Sequence, residues 1–236
     1  MSLSHREPGD GFHDECGVFG IYSASEASKL ACLGLHALQH RGQESAGIAS
    51  TDGEQLYIHR ALGLVNDVFT GDTLSHLPGN CAIGHVRYST AGGSHVKNAQ
   101  PVAVDYAHGS IALAHNGNLT NAEALRSELE HAGSIFRSTG DTEVVVHLIA
   151  RSRGQTNVDR IADALQQIQG AYSMVILTPT ELVAVRDPHG FRPLCLGKLN
   201  GAYVFASEPP AFELIAAEYL RDVEPGEMIV INKQGM

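Results

Sequence analysis

Cys16 opens an apolar run, Gly17-Val18-Phe19-Gly20-Ile21-Tyr22, directly behind a polar stretch that ends in Asp14 and Glu15. A thiol at that boundary poses a chemical question. A thiol nucleophile needs a base to take its proton, donors for the oxyanion that develops on the attacked carbonyl, and groups that hold the substrate. If residues 1–15 are removed, Cys16 becomes the first residue, and its own α-amine, with a pKa of about 7.7–8.0, serves as that base near neutral pH. Asn116 and Gly117, within "AHNGNLTN", supply a side-chain amide and a backbone N–H on what reads as a tight turn after a strand, a suitable oxyanion hole. Arg87 in "GHVRYSTAGG" offers a planar fork for a carboxylate, and Asp141 in "STGDTE" offers a counter-charge for an ammonium. The set fits a free α-amino acid whose side-chain carbonyl is attacked.

Each residue also has a plainer use. A cysteine leading an apolar strand is ordinarily a small core residue. "NGN" is ordinarily a turn, an arginine at a strand end an ion-pair partner, and an aspartate before a helix an N-cap. "RDPHGFRPL" (186–194) is most simply a loop fixed by its prolines. Only the combination points to chemistry.

The elements that must position these residues follow from the pattern. Short runs rich in Val, Ile, Leu and aromatic residues predict strands at 17–22, 46–50, 55–61, 82–88, 111–115, 173–177, 182–186, 202–206 and 228–231. Helices are predicted at 26–39, 121–132, 142–151 and 158–168, the second with a capping box from Thr120 to Glu123. Several strands precede the central helices and several follow them, so the order is not a βαβ alternation. That favours an α+β fold of antiparallel sheets packed on each other with helices outside. Several of the polar stretches, which include "HRGQESAG" (40–47), follow a strand directly and so present their residues at sheet ends, where sites are commonly built.

Length and composition exclude other classes. A chain of 236 residues with 43% hydrophobic content buries one sizeable core, and nothing in it divides a folded domain at 16–236. A formal charge of -10 without clustered Lys and Arg argues against nucleic acid. No apolar run is long enough for a bilayer, so no membrane partner is expected. Cys16, Cys32, Cys81 and Cys195 are widely spaced, with no CxxC, which fits a reducing cytoplasm and predicts neither disulfides nor zinc. The 13 histidines show no ligand spacing, so no metal site is expected.

Taken in order, "ECGVFGIY", "LHALQHRGQESAGI", "AIGHVRYSTAGG", "ALAHNGNLTNAEAL", "GSIFRSTGDTEVVVHLI" and "RDPHGFRPLCLG" closely resemble the class II glutamine amidotransferase domain of the amidophosphoribosyltransferase family. The resemblance implies a four-layer αββα sandwich, the N-terminal nucleophile hydrolase fold, with residues 1–15 a propeptide cleaved before Cys16. It implies that Cys16 attacks the side-chain amide of glutamine, that Asn116 and Gly117 form the oxyanion hole, and that Arg87 and Asp141 hold the α-carboxylate and α-ammonium. Thr90 would belong to a loop closing over glutamine, and Arg41 would support the nucleophile's surroundings. The released ammonia would serve phosphoribosylamine formation from phosphoribosyl pyrophosphate in purine biosynthesis.

Two departures from the family matter. Its members carry a phosphoribosyltransferase domain, the expected ammonia acceptor and the only part expected to need Mg2+, after the glutaminase domain; this chain stops at Met236. Acceptance by a separate subunit and homo-oligomer formation both stay open. In the iron-sulfur branch a cluster cysteine follows Ser-Glu-x; here "SEPPAF" places Pro210 there, which argues against a cluster. An unprocessed, non-catalytic regulatory or assembly domain of the same fold is the alternative.

Overall fold

The computed structural model describes residues 16–88 and 95–236; the expected propeptide and Thr90 lie outside the described residues. In chain order the strands are β1 (Gly17–Tyr22), β2 (Ser45–Thr51), β3 (Leu56–Leu62), β4 (Cys81–Arg87), β5 (Val102–Tyr106), β6 (Gly109–Leu119), β7 (Gly170–Leu177), β8 (Leu182–Arg186), β9 (Cys195–Leu199), β10 (Ala202–Ala206), β11 (Glu218–Asp222) and β12 (Met228–Ile231). The helices are α1 (Ala27–Ala37), α2 (Val65–Val68), α3 (Gly71–Ser75), α4 (Ala122–His131), α5 (Thr142–Arg151), α6 (Asn157–Leu165) and α7 (Pro210–Leu214). The strands form a seven-stranded sheet in the order β11-β9-β10-β1-β4-β2-β3 and a five-stranded sheet in the order β12-β8-β7-β6-β5.

Three apolar layers hold four structural ones together. Because side chains alternate across a strand, Phe19 and Ile21 of β1 turn outward to meet Ala31, Leu35 and Leu38 of α1 and its following turn. Val18 and Tyr22 turn inward and pack with Ala112, Ala114, Val175 and Leu182 of the second sheet. On that sheet's outer face, Ile111, Leu113 and Met174 meet Val145, Ile149 and Ile161 of α5 and α6. The result is the αββα sandwich that the sequence resemblance implies. Close approach of α1 depends on a missing side chain: a Cβ at Gly34 would lie 2.3 Å from the Phe19 ring.

The structure corrects several expectations. "NGN" is not a turn. Strand β6 runs straight through it, with Asn116 opposite Ser173 and Gly117 opposite Tyr172 of β7. A neighbouring strand supplies the backbone partners that the local propensities of Asn and Gly do not favour. The capping box at Thr120 does not form either. The α4 N-cap is Asn121, with no side-chain cap bond; Asn121 Nδ2 instead donates to Gln167 O (2.8 Å), and Asn121 Oδ1 accepts from Gln169 N (2.9 Å). These bonds tie the end of β6 to the turn that enters β7. Strands β5, β9 and β11 escape the sequence pattern, β11 because it is an exposed, charged edge, "EYLRD".

The 187–193 loop is built around one buried carboxylate. Asp187, 0% exposed, accepts backbone N–H bonds from His189 (2.9 Å), Phe191 (3.2 Å) and Arg192 (3.1 Å). Replacing it leaves those donors unsatisfied in a dry site. Asp187→Ala is therefore expected to lower unfolding stability by about 2–4 kcal/mol, measured as a drop in the denaturation midpoint relative to wild type.

Candidate active site

Cys16 sits at the outer end of β1, half-buried, with its sulfur 3.6 Å from the Tyr88 carbonyl oxygen. Its backbone is left-handed, at φ 62°, a conformation that costs a non-glycine residue roughly 1–2 kcal/mol. Arg41 holds it there from both sides. The Cys16 N–H donates to Arg41 O (3.1 Å), and Arg41 Nε donates back to Cys16 O (2.7 Å). Arg41 is only 1% exposed and is ion-paired with Glu208, which also accepts from His40 Nε2 at 2.8 Å. The adjacent Ser207 exchanges bonds with Val18, N–H to carbonyl (3.0 Å) and Oγ from N–H (2.9 Å). The "SE" pair thus grips both the strand behind Cys16 and the arginine that holds it.

The register carries Arg87 to the same place. Gly17 pairs with Val86, so the next step along that ladder sets Cys16 opposite Arg87. The Arg87 guanidinium is ion-paired with Glu44, both side chains largely buried. The plain reading of Arg87 as an ion-pair partner is therefore correct, and the pair also fixes the fork at the edge of the cleft.

Across from them, β6 delivers His115, Asn116 and Gly117. Gly117 has φ 148°, and a Cβ there would lie 2.0 Å from Ala171 O. Only glycine permits that approach of the two backbones. Asn116 is fully buried, and neither atom of its amide has a hydrogen-bond partner among the described residues. An unpaired buried amide is costly in a folded protein.

Asp141 occupies the N-cap position of α5 but makes no side-chain cap bond. Its Oδ2 accepts from Leu119 N (2.9 Å), and its Oδ1 lies 3.7 Å from His115 Nδ1. Burial pushes this carboxyl up, but the attraction of His115 and the backbone N–H bonds outweigh it and bring its pKa down to about 2. The loop before it is anchored twice: Glu143 accepts from Arg137 N (2.8 Å) and Ser138 N (2.7 Å), and Asn98 Oδ1 accepts from Thr139 N (3.0 Å).

Cys16, Arg87, His115, Gly117 and Asp141 all line one cleft of about 590 Å³. Asn116 lies within the sheet beside it, and Arg41 lies beneath Cys16. Sequence reasoning missed Glu44 and Glu208, although both fall inside stretches it quoted, "HRGQES" and "SEPPAF". It also missed His115 and Asn98, whose roles depend on contacts distant in sequence. Pro210 opens α7 at its first turn, and its side chain carries no atom able to ligate iron.

A family model described as a glutamine amidotransferase domain matches residues 85–214. Amidophosphoribosyltransferase 2, chloroplastic, of Arabidopsis thaliana is 56% identical over 94% of this chain and 40% of its own length. The amidophosphoribosyltransferase of Bacillus subtilis is 52% identical over 96% of this chain and 48% of its own. A solved structure described as the allosteric regulatory enzyme of purine biosynthesis superposes with a TM-score of 0.91 at 52% identity, over 94% of this chain and 48% of that one. The chain thus spans about half the length of the curated relatives it matches, or less. A glutamine aminotransferase class-II domain protein from Silicibacter pomeroyi, 15% identical with a TM-score of 0.61, shares the fold. The family match takes in more than half of the chain and the longer likeness nearly all of it, so the chain belongs to the glutamine amidotransferase domain family, in the form found in amidophosphoribosyltransferases.

Proposed function

We propose that this domain hydrolyses the side-chain amide of glutamine through Cys16 and supplies the ammonia to a phosphoribosyl pyrophosphate acceptor site in purine biosynthesis. The observation that carries the reading is the convergence of Cys16, the fixed Arg87, Gly117 and the ionised Asp141 on one cleft. A relative solved with ADP and GMP is described as a glutamine phosphoribosylpyrophosphate amidotransferase, which supports the choice of both substrates.

In this reading the peptide bond before Cys16 is cut, and the freed α-amine takes the thiol proton. The sulfur attacks the amide carbon, and the oxyanion is held by the Asn116 amide and the Gly117 N–H. Collapse breaks the C–N bond, with the α-ammonium returning its proton to the leaving ammonia. Water then attacks the γ-glutamyl thioester, breaks the C–S bond and releases glutamate. Arg87 clamps the substrate carboxylate, and Asp141 receives its ammonium. Arg41, backed by Glu208, holds the Cys16 backbone. Thr90 belongs to the segment closing over glutamine. The ammonia acceptor is a phosphoribosyltransferase domain or subunit, Mg2+ belongs to that acceptor, and the setting is the cytoplasm; among the described residues no helix is long and apolar enough to cross a membrane.

Cys16→Ala is expected to abolish glutamate release while leaving the circular dichroism spectrum unchanged, and intact mass of active wild-type protein should show Cys16 at the terminus. An active species that keeps residues 1–15 would refute the terminal-amine mechanism, and uncleaved protein that binds no glutamine would favour the assembly-domain alternative.

Asp141 has a depressed pKa, so its ionised form contributes to stability above the ordinary carboxylate range, and the contribution is lost as pH falls toward about 2. Glutamine KM should therefore be insensitive to this group at any pH above about 4. Asp141→Asn should raise KM by roughly 30-fold, equivalent to about 2 kcal/mol, with a smaller change in kcat. Glu208→Gln, which strips the counter-charge from Arg41, should lower kcat about tenfold and stability by about 1–3 kcal/mol, with KM for glutamine within twofold, read by steady-state kinetics and thermal melts.

A further inference from the structure

Nucleophile and oxyanion donors stand on different sheets. Cys16 leads β1 of the seven-stranded sheet, whereas Asn116 and Gly117 belong to β6 of the five-stranded one. Apolar contacts fill the space between the sheets, and such contacts are non-directional. They resist separation but do not fix one strand's position along or across another to a fraction of an ångström.

Among the described residues, a directional bond from the inner face of the seven-stranded sheet reaches the oxyanion strand itself at the active end. His85 of β4 lies directly opposite Val18 of β1 and shares the inward face with Cys81 and Ile83. It is 0% exposed, and its Nε2 lies 3.0 Å from the carbonyl oxygen of His115. A carbonyl can only accept, so Nε2 carries the proton and donates. The acceptor is the peptide group that joins His115 to Asn116, the unit from which the Asn116 amide projects. His115 is held at the same residue from elsewhere: its N–H donates to Gln100 Oε1 at 2.8 Å, and its ring meets Thr142 Oγ1 at 3.3 Å.

Building on the glutaminase reading above, we infer that His85 is a positioning residue, whose neutral Nε2–H sets the spacing between the strand that carries the Cys16 thiol and the peptide that carries the Asn116 oxyanion donor. Burial lowers its pKa to about 3, with the neighbouring charges of His115 and Arg87 acting in the same direction and the bond to the His115 carbonyl opposing. The ring therefore stays neutral wherever the domain is folded near physiological pH, and it titrates in no catalytic step. Its function is geometric: without it, nucleophile and oxyanion donor lose their common reference, and displacements on the order of 1 Å at a reacting centre cost about 100-fold in rate.

The test compares His85→Leu, which has no donor, with His85→Gln, whose amide nitrogen can replace Nε2. For the full chain, glutamate release from glutamine gives kcat and KM, and iodoacetamide alkylation of Cys16 measures the thiol without the oxyanion hole. Expected for His85→Leu is a fall in kcat of about 10- to 100-fold, with KM within about threefold and the alkylation rate unchanged. His85→Gln should recover most of the lost kcat, and the pH profile of both variants should keep the wild-type shape. If His85→Leu does not fold, His85→Asn, whose amide is too short to reach the carbonyl, must show the same split.

A wild-type kcat in His85→Leu would overturn the inference, as would equal losses with Leu and Gln, a loss confined to KM, or failure of both the Leu and the Asn variants to fold. Wild-type protein that releases no glutamate would overturn the glutaminase reading itself, which separates the two failures.

Discussion

Two antiparallel sheets pressed face to face across an apolar layer are the constraint on which the rest of this molecule depends. Stacked sheets sit about 10 Å apart because side chains from each inner face must interdigitate. Here the inner layer combines small and branched residues, among them Ala112, Ala114, Val175 and Ala184 on one side and Val18, Ala49 and Ile83 on the other, with the aromatic rings of Tyr22 and Phe205. A larger residue at one of these positions would spread the sheets throughout, including at the open end where the cleft forms. Core packing and active-site geometry are therefore one problem in this fold.

At that open end the apolar pattern gives way to charged and polar groups, several of them tied by a partner. Glu44 fixes Arg87, Glu208 fixes Arg41, Glu143 caps the loop before Asp141, and Asn98 pins Thr139. The thiols show the same division by environment. Burial pushes Cys32 and Cys81 up, and Cys195 is driven to about 12 by burial together with its bond to Asp222. In all three the shift disfavours the thiolate, the reactive form of a cysteine. Cys16 opens onto the cleft.

How much of this was legible in the residues differs between its parts. Helix α5 was read at its observed bounds, because Asp141 and Arg151 bracket a run of apolar residues at helical spacing. Strand β1 was equally plain. Strand β6 was read only as far as His115, since what carries it through Asn116 and Gly117 is the ladder to β7, some fifty residues away. The hairpin between β9 and β10 did have a local signal that went unread: Asn200 and Gly201 take φ 47° and 93°, the positive pair that an Asn-Gly turn favours. Among the site residues, those with a distinctive local setting were found, whereas the carboxylates that brace them were not. A bracing glutamate has no signature beyond its partner's position in space.

The left-handed torsion at Cys16 has a further consequence. That angle is defined by the carbonyl carbon of the preceding residue, so it exists only while residue 15 is attached. Scission at this bond abolishes the torsion, and with it the steric penalty that rejoining the two ends would have to restore. In a processed chain, relief of that roughly 1–2 kcal/mol would bias the balance toward the cut form by about 5- to 30-fold.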